Sequence, residues 1–319
     1  MADMKFSVVV PLHDKEPYVA RAVESVLAQT HSDFELIVVD DASTDRGPEI
    51  VRSFDDPRVR LLRRDVPGPG GYAARNLGIR EARNEWIAFL DADDLWKPDF
   101  LERIAELRRR FPEANAFCAA FSAQYANRTV PGEFAEKGPT EPVLRGWDDF
   151  LRAIAENLWP FWTGVSVFRR VDLIASGGFP EAKYGRGGDL DTWFRTLKIA
   201  KTWAYRPEPL AIHFREVPGQ VTRLVRQDPH AVFVADTLKD EILRETDRER
   251  RKLLLRARRS KLAAVVGANL RAEGLSWAGL LRERNDLGLR ELKNLAALKI
   301  RLRLRIIRAR LRSGKSAVS

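Results

Sequence analysis

Three carboxylates crowd the segment Asp91-Ala92-Asp93-Asp94, directly after the apolar run Trp86-Ile87-Ala88-Phe89-Leu90. An uninterrupted apolar run of this length predicts a strand buried on both faces, as in the interior of a parallel sheet. Buried carboxylates are costly unless something pairs with them. The cluster is therefore expected where the strand emerges, at the carboxyl edge of the sheet, where open α/β sheets bind ligands. Carboxylates at such an edge suit a hard divalent cation and the phosphates that accompany one. The same residues also read as a solvated turn, with Asp94 capping the next helix and Pro98 in its first turn.

The elements that position this cluster alternate. Phe6–Leu12 is an apolar, β-branched strand with Pro11 near its end, and Tyr18–Gln29 repeats apolar residues at a helical period. Phe34–Val39 is a second buried strand, ending in Asp40-Asp41, and Ser43 or Thr44 can cap the helix after it. Val59–Leu62 is a short strand, Gly68–Gly71 a flexible loop and Tyr72–Ala82 a helix. A Pro98–Arg110 helix follows the Trp86 strand. Strands and helices in alternation imply a parallel sheet with right-handed crossovers over residues 4–121. Two acidic strand ends then open onto one edge.

Beyond Phe121 the pattern is less regular. Gly132–Arg145 reads as loop, Trp147–Asn157 as helix and Trp162–Phe168 as strand. Gly185–Gly188 is a flexible approach to a helix opened by Asp189, and Thr202–Tyr205 and Leu210–Phe214 are two short strands. From Ala231 the chain reads as helical, with breaks at Gly274 and Gly288. Leu298–Arg312 alternates like a strand at first but is assigned to helix with its flanks.

The 319 residues hold one cysteine and four scattered histidines, which excludes a disulfide framework, a Cys-based zinc site and a His-cluster metal motif. Neither a signal peptide nor an eighteen-residue apolar stretch is visible, so a cytoplasmic protein is expected. The net charge of +10 is unevenly distributed. Residues 241–319 carry 22 Lys+Arg against 8 Asp+Glu, a net of +14, and the rest carries 33 against 37, a net of −4.

Taken in order, these segments resemble the family 2 glycosyltransferases over about residues 5–215. The likeness rests on Val8–Glu16, Ser25–Thr30, Glu35–Asp45, Ala74-Arg75-Asn76-Leu77-Gly78, the DXD-like Asp91-Ala92-Asp93-Asp94, and Gly188–Arg195. It implies the GT-A fold, an α/β, Rossmann-like, mainly parallel sheet flanked by helices. That domain would span 1–225, with a nucleotide-binding half at 4–121 and an acceptor half at 122–225. A basic helical region at 226–319 follows. The implied activity is metal-dependent, inverting transfer of a sugar from a nucleotide-diphosphate donor, UDP-linked, to a saccharide or lipid-linked acceptor. Carried over by position, Pro11, Leu12, His13, Glu16, Asp40, Arg75 and Asp91 are nucleotide-binding. Asp93, with Asp91, is the ligand of Mn²⁺ or Mg²⁺. Asp189 matches the Asp of the family's Glu-Asp motif, its catalytic base, and Asp191 is the substitute. The motif's Glu is Gly188 here.

Two rivals remain open. A sugar-phosphate nucleotidylyltransferase would need a Gly-rich phosphate loop after the first strand, where Leu12–Glu16 has no glycine. A non-catalytic nucleotide-sugar binding module is suggested by Gly188. His213 reads as a packed histidine, or as a further metal ligand drawn from late in the fold. Trp159, Trp162 and Trp193 read as core, or as an acceptor wall. The basic C-terminal charge reads as a solvated face or as a contact for an anionic membrane surface. No nucleic-acid motif accompanies it.

Overall fold

A computed structural model describes residues 4–181, 186–215, 217, 233–273 and 293–300. By contact the chain divides into two compact units, Met1–Ala153 with Leu158–Arg226, and Ile154–Asn157 with Gln227–Ser319.

The first unit opens with β1 (Phe6–Leu12), α1 (Glu16–Leu27), β2 (Phe34–Asp41), α2 (Gly47–Arg52), β3 (Val59–Arg64), α3 (Tyr72–Glu81) and β4 (Trp86–Phe89). It continues with β5 (Leu95–Trp96), α4 (Phe100–Arg110), β6 (Ala116–Tyr125), β7 (Arg128–Pro131), α5 (Glu133–Lys137), β8 (Val143–Gly146) and α6 (Trp147–Ala155), whose last two residues count with the second unit. Then come β9 (Ser166–Arg169), α7 (Arg170–Ala175), α8 (Gly188–Ala200) and β10 (Thr202–Phe214). Among the described residues the strands form one sheet, ordered β3-β2-β1-β4-β9-β6-β10-β5, with β7 on β6 and β8 on β10.

The β3-β2-β1-β4 half is wholly parallel, as alternation requires. Its apolar runs are buried on both faces: β2 is buried at every position and β1 at all but Pro11. Helix α1 lays Val19, Ala22, Val23 and Val26 on this sheet. Helix α3 approaches β1 closely, because a Cβ at Gly78 would stand 2.4 Å from Val9 Cγ1. That contact sets how closely α3 can pack on β1.

The second half mixes directions. β6 and β10 are parallel, while β9 sits antiparallel between β4 and β6. Several local expectations are corrected here. Gly132–Arg145 contains α5 and most of β8, and β8 is held by antiparallel pairing to β10 rather than by any pattern of its own. Thr202–Tyr205 and Leu210–Phe214 join into one strand. Pro207 and Pro209 fall at register shifts, where a missing N–H is tolerated. Helix α2 starts after Arg46 without a side-chain cap, so neither Ser43 nor Thr44 caps it.

In the second unit, α9 (Phe233–Arg244) and α10 (Arg248–Glu273) pack on one another. Val234, Ala235, Leu238 and Ile242 of α9 are buried, as are Leu254, Ala257, Leu262 and Val265 of α10. Residues 293–300 are helical; Gly274, Gly288 and residues 301–312 lie outside the described residues. Among the described residues no helix is long and apolar enough to cross a membrane.

Candidate active site

The loops after β1 and β2 meet at the carboxyl edge and are stitched together by side chains. Asp14 accepts from the Thr44 N–H at 2.8 Å, which holds its carboxyl below the usual value. Asp45 accepts from the Glu16 N–H at 2.7 Å, and the Glu16 carboxylate is taken by Arg46 at 2.8 Å. His13 Nδ1 lies 2.8 Å from the Asp41 carbonyl oxygen. Asp14 and Ala42 both adopt positive φ, 48° and 57°, the left-handed backbone that non-glycine residues avoid and functional loops concentrate.

The nucleotide-binding candidates fall here unevenly. Leu12 is fully buried core and Pro11 is part-exposed at the loop. Asp40 is buried, with Oδ1 accepting from the Ser43 N–H at 2.8 Å, so its carboxylate braces the turn after β2. Asp41 is held by Arg64 and the Gly68 N–H, and anchors the loop before α3.

The carboxylates after β4 divide into two kinds. Asp91 and Asp93 each face a cation: Arg75 Nη2 is 2.5 Å from Asp91 Oδ1, and Lys15 Nζ is 3.0 Å from Asp93 Oδ2. Arg21 also donates to the Asp93 carbonyl at 2.7 Å. Asp94 turns inward. It is fully buried, accepts from the Phe214 N–H at 2.9 Å and lies 3.1 Å from His213 Nδ1. It therefore does not cap a helix; Asp99 precedes α4 instead. Burial pushes the Asp94 carboxyl up to about 6, against the opposing pull of His213. His213 packs on Trp162 with ring centroids 4.7 Å apart. Asp94 thus ties the end of β10 to the acidic turn.

The first turn of α8 lies beside the start of α3, where Tyr72 reaches the Gly188 N–H. Gly187 precedes the helix at φ 85°, and Asp189 lies in its first turn, part-exposed. Asp191 is buried and held by Arg195, whose Nε stands 2.9 Å from Asp191 Oδ2. Arg195 also donates to the Ser176 and Gly178 carbonyls, so this pair locks the turn before the glycine-rich loop. Trp193 is core, stacked on Phe168 at 4.7 Å. Gly185 lies outside the described residues.

The arrangement thus joins Arg75 with Asp91 and Lys15 with Asp93. Two participants escaped the sequence reading. Lys15 sits within the quoted strand-loop segment, but its pairing with residue 93 leaves no local signal. Tyr72, the first residue of α3, hydrogen-bonds the backbone of Gly188 at 2.9 Å. The signal that could have found it is the missing side chain at position 188.

Hard oxygen donors at this edge fit Mn²⁺ or Mg²⁺ by type. Among the described residues no three His, Cys, Asp or Glu groups gather closely enough to hold a metal ion. Lys15 already supplies positive charge to Asp93, so a cation binding there would compete with its ammonium group.

Comparison with known proteins agrees with this architecture. The Glycosyl transferase family 2 profile matches residues 7–170. The succinoglycan biosynthesis protein ExoO of Rhizobium meliloti is 48% identical over 99 residues, 31% of this chain and 28% of that one. The putative glycosyltransferase EpsH of Bacillus subtilis is 29% identical over 215 residues, 66% of this chain and 60% of its own. The chain therefore spans less than two thirds of these curated relatives. The crystal structure of S. aureus TarS 1–349 in complex with UDP-GlcNAc superposes with a TM-score of 0.67 at 18% identity, covering 94% of this chain and 92% of that one. At that identity the likeness speaks for the fold, a GT-A arrangement of a mainly parallel sheet flanked by helices. With more than half its length matched by the family profile, the chain belongs to glycosyl transferase family 2.

Proposed function

We propose that the chain is an inverting glycosyltransferase. It moves a sugar from a nucleotide-diphosphate donor, UDP-linked, to an acceptor hydroxyl in surface polysaccharide or glycolipid synthesis. The observation that carries this reading is the pairing of Asp91 with Arg75 and of Asp93 with Lys15 at the carboxyl edge, with Asp189 in the first turn of α8, which Tyr72 of α3 holds through the Gly188 N–H. The neighbour solved with UDP-GlcNAc and the relative named for succinoglycan biosynthesis support the donor and product classes.

In this reading Arg75 and Lys15 face the donor's diphosphate, where oriented cations stabilise charge that grows as the leaving group departs. Asp189 takes the proton of the acceptor hydroxyl as that oxygen attacks. The hydroxyl attacks the anomeric carbon opposite the departing diphosphate, so the configuration inverts and nucleoside diphosphate leaves. A divalent cation on Asp93 and Asp91 would supply Lewis-acid stabilisation of the same diphosphate. The loop after β1, Leu12–Glu16, has no glycine with which to wrap a triphosphate, which speaks against nucleotidyl transfer. A binding module without turnover is the other outcome that the assays below distinguish.

The test is thermal. UDP at about 100 times its dissociation constant stabilises by about 2.7 kcal/mol. The melting temperature is expected to rise further with Mn²⁺ or Mg²⁺ than with EDTA, and Asp93→Ala removes the metal increment. Equal shifts with and without metal would remove the cation from Asp93.

The proposed location is the cytoplasm, peripheral on the inner membrane face. Arg248, Arg250, Arg251, Lys252, Arg256 and Arg259 of α10 are exposed, with Glu249 the acidic residue among them. Basic clusters of this kind gain about 1 kcal/mol per residue at an anionic lipid surface. The intact chain is expected to sediment with phosphatidylserine vesicles at low salt and release at high salt. Changing Arg250, Arg251, Lys252 and Arg256 to Gln should abolish sedimentation. These side chains are better targets than truncation, which would strip α9 of the helix it packs against. Indifference of the intact chain to such vesicles leaves α10 as a solvated face.

A further inference from the structure

We propose that Tyr72 is a positioning residue for Asp189: its ring fills the space that a side chain at position 188 would occupy, and its hydroxyl fixes the first turn of α8. This rests on the reading of Asp189 as the base and adds how the chain functions with glycine beside it.

The space is already taken. A Cβ at Gly188 would stand 2.8 Å from Tyr72 Cζ, 3.0 Å from Tyr72 Cε2 and 2.8 Å from Pro180 Cγ. A glutamate there would have to displace the phenol, so Gly188 and Tyr72 are two halves of one packing arrangement.

The hydroxyl has a specific task. The first turn of a helix leaves N–H groups without intrahelical partners. Gly187, the residue before α8, has no side chain to cap them. Tyr72 Oη accepts from the Gly188 N–H at 2.9 Å, a cap delivered from another helix one residue before Asp189. Within α8, Thr192 Oγ1 donates to the Gly188 carbonyl at 2.7 Å, so residue 188 is held on both its amide and its carbonyl.

The phenol is itself held rigidly. Tyr72 is 3% exposed, and its ring stacks on Phe179 at 6.0 Å and 12°. Asn76, one helical turn along α3, clamps the Phe179 backbone from both sides, accepting its N–H and donating to its carbonyl at 2.8 Å each. Arg75, three residues on from Tyr72, reaches Asp91. One end of α3 therefore sets both Asp91 on the donor side and Asp189 on the acceptor side.

The phenol does not offer a second base. Burial, and then the nearby Asp189 charge, push its ionisation well above the ordinary tyrosine value. It stays protonated at working pH and cannot replace Asp189 as the base. In this proposal it acts through Asp189.

The test measures UDP release by the full chain from UDP-GlcNAc, UDP-glucose or UDP-galactose, whichever the wild type consumes fastest. Tyr72→Phe keeps the ring and removes the acceptor. It should lower kcat by roughly 10- to 100-fold, the scale of displacing a reacting group by about 1 Å, with KM and UDP affinity near wild type. Gly188→Glu should lower both kcat and melting temperature, the latter by about 4 °C or more. In a Tyr72→Ala background the melting loss caused by Gly188→Glu should shrink, with the Pro180 contact at 2.8 Å remaining. Wild-type kcat in Tyr72→Phe overturns the inference when Asp189→Asn is impaired. Full activity in Asp189→Asn overturns the underlying reading instead, and the inference with it. The melting comparison needs no donor. A Gly188→Glu loss as large in the Tyr72→Ala background as in the wild-type one rules out the shared space whatever the activity.

Discussion

Replacing Asp189 by Asn lowers turnover by roughly 10²- to 10⁴-fold, the usual contribution of a positioned acid or base, and leaves UDP affinity near wild type. The side chain keeps its size and can still accept a hydrogen bond, so the helix start survives while the basicity is lost. Asp189 lies in the first turn of α8. Asp191→Asn behaves differently. Its carboxylate already holds Arg195, which in turn holds the turn at Ser176 and Gly178. That variant should melt lower and lose much less kcat. UDP release under saturating donor checks both. Greater kcat loss at Asp191 than at Asp189 would move the base to Asp191, and full activity in both would remove it from this helix.

Much of residues 4–121 was legible because its signals are local. The apolar runs at Phe6, Phe34 and Trp86 are long enough to demand burial on both faces, and they form β1, β2 and β4 side by side. Their acidic ends arrive on one edge because parallel strands leave them no alternative. What stayed hidden was set by partners far along the chain. Asp94 reads as a cap in sequence, yet it bonds to His213 and Phe214, well over a hundred residues away. The short β8 has no alternation of its own and exists through β10. Thr202–Tyr205 and Leu210–Phe214 read as two strands, and the register shifts of β10 against β6 join them into one. The same holds at the site. The candidate residues followed from the resemblance, but the pairings of Lys15 with Asp93 and of Tyr72 with Gly188 are facts of packing.

Trp193→Ala should be among the most destabilising single changes in the chain, and Trp193→Phe among the mildest at a buried tryptophan. The indole is fully buried and stacks on Phe168 at 4.7 Å and 13°. It meets Phe179 edge-on at 5.3 Å and Phe89 at 5.5 Å. Phe168 of β9 is opposite Ile87 of β4 in the sheet, so this cluster joins the helix carrying Asp189 to the strand leading into Asp91. Truncation to alanine removes the whole ring and leaves a cavity, at a cost of about 3–5 kcal/mol. In a chain of this size that lowers the melting temperature by on the order of 10 °C. Among the described residues the buried indole Nε1 has no hydrogen-bond partner. Phenylalanine gives up volume but also removes that unsatisfied donor, whose burial costs about 1–3 kcal/mol. The two effects oppose, so Trp193→Phe should melt within a few degrees of wild type. Below both transitions, the alanine variant should also lose kcat, because α8 is no longer pinned beside the strand. Thermal melts of the two variants decide the matter. Equal losses for Phe and Ala would mean that the indole N–H has a partner, and a wild-type melt for Ala would mean that α8 is anchored elsewhere.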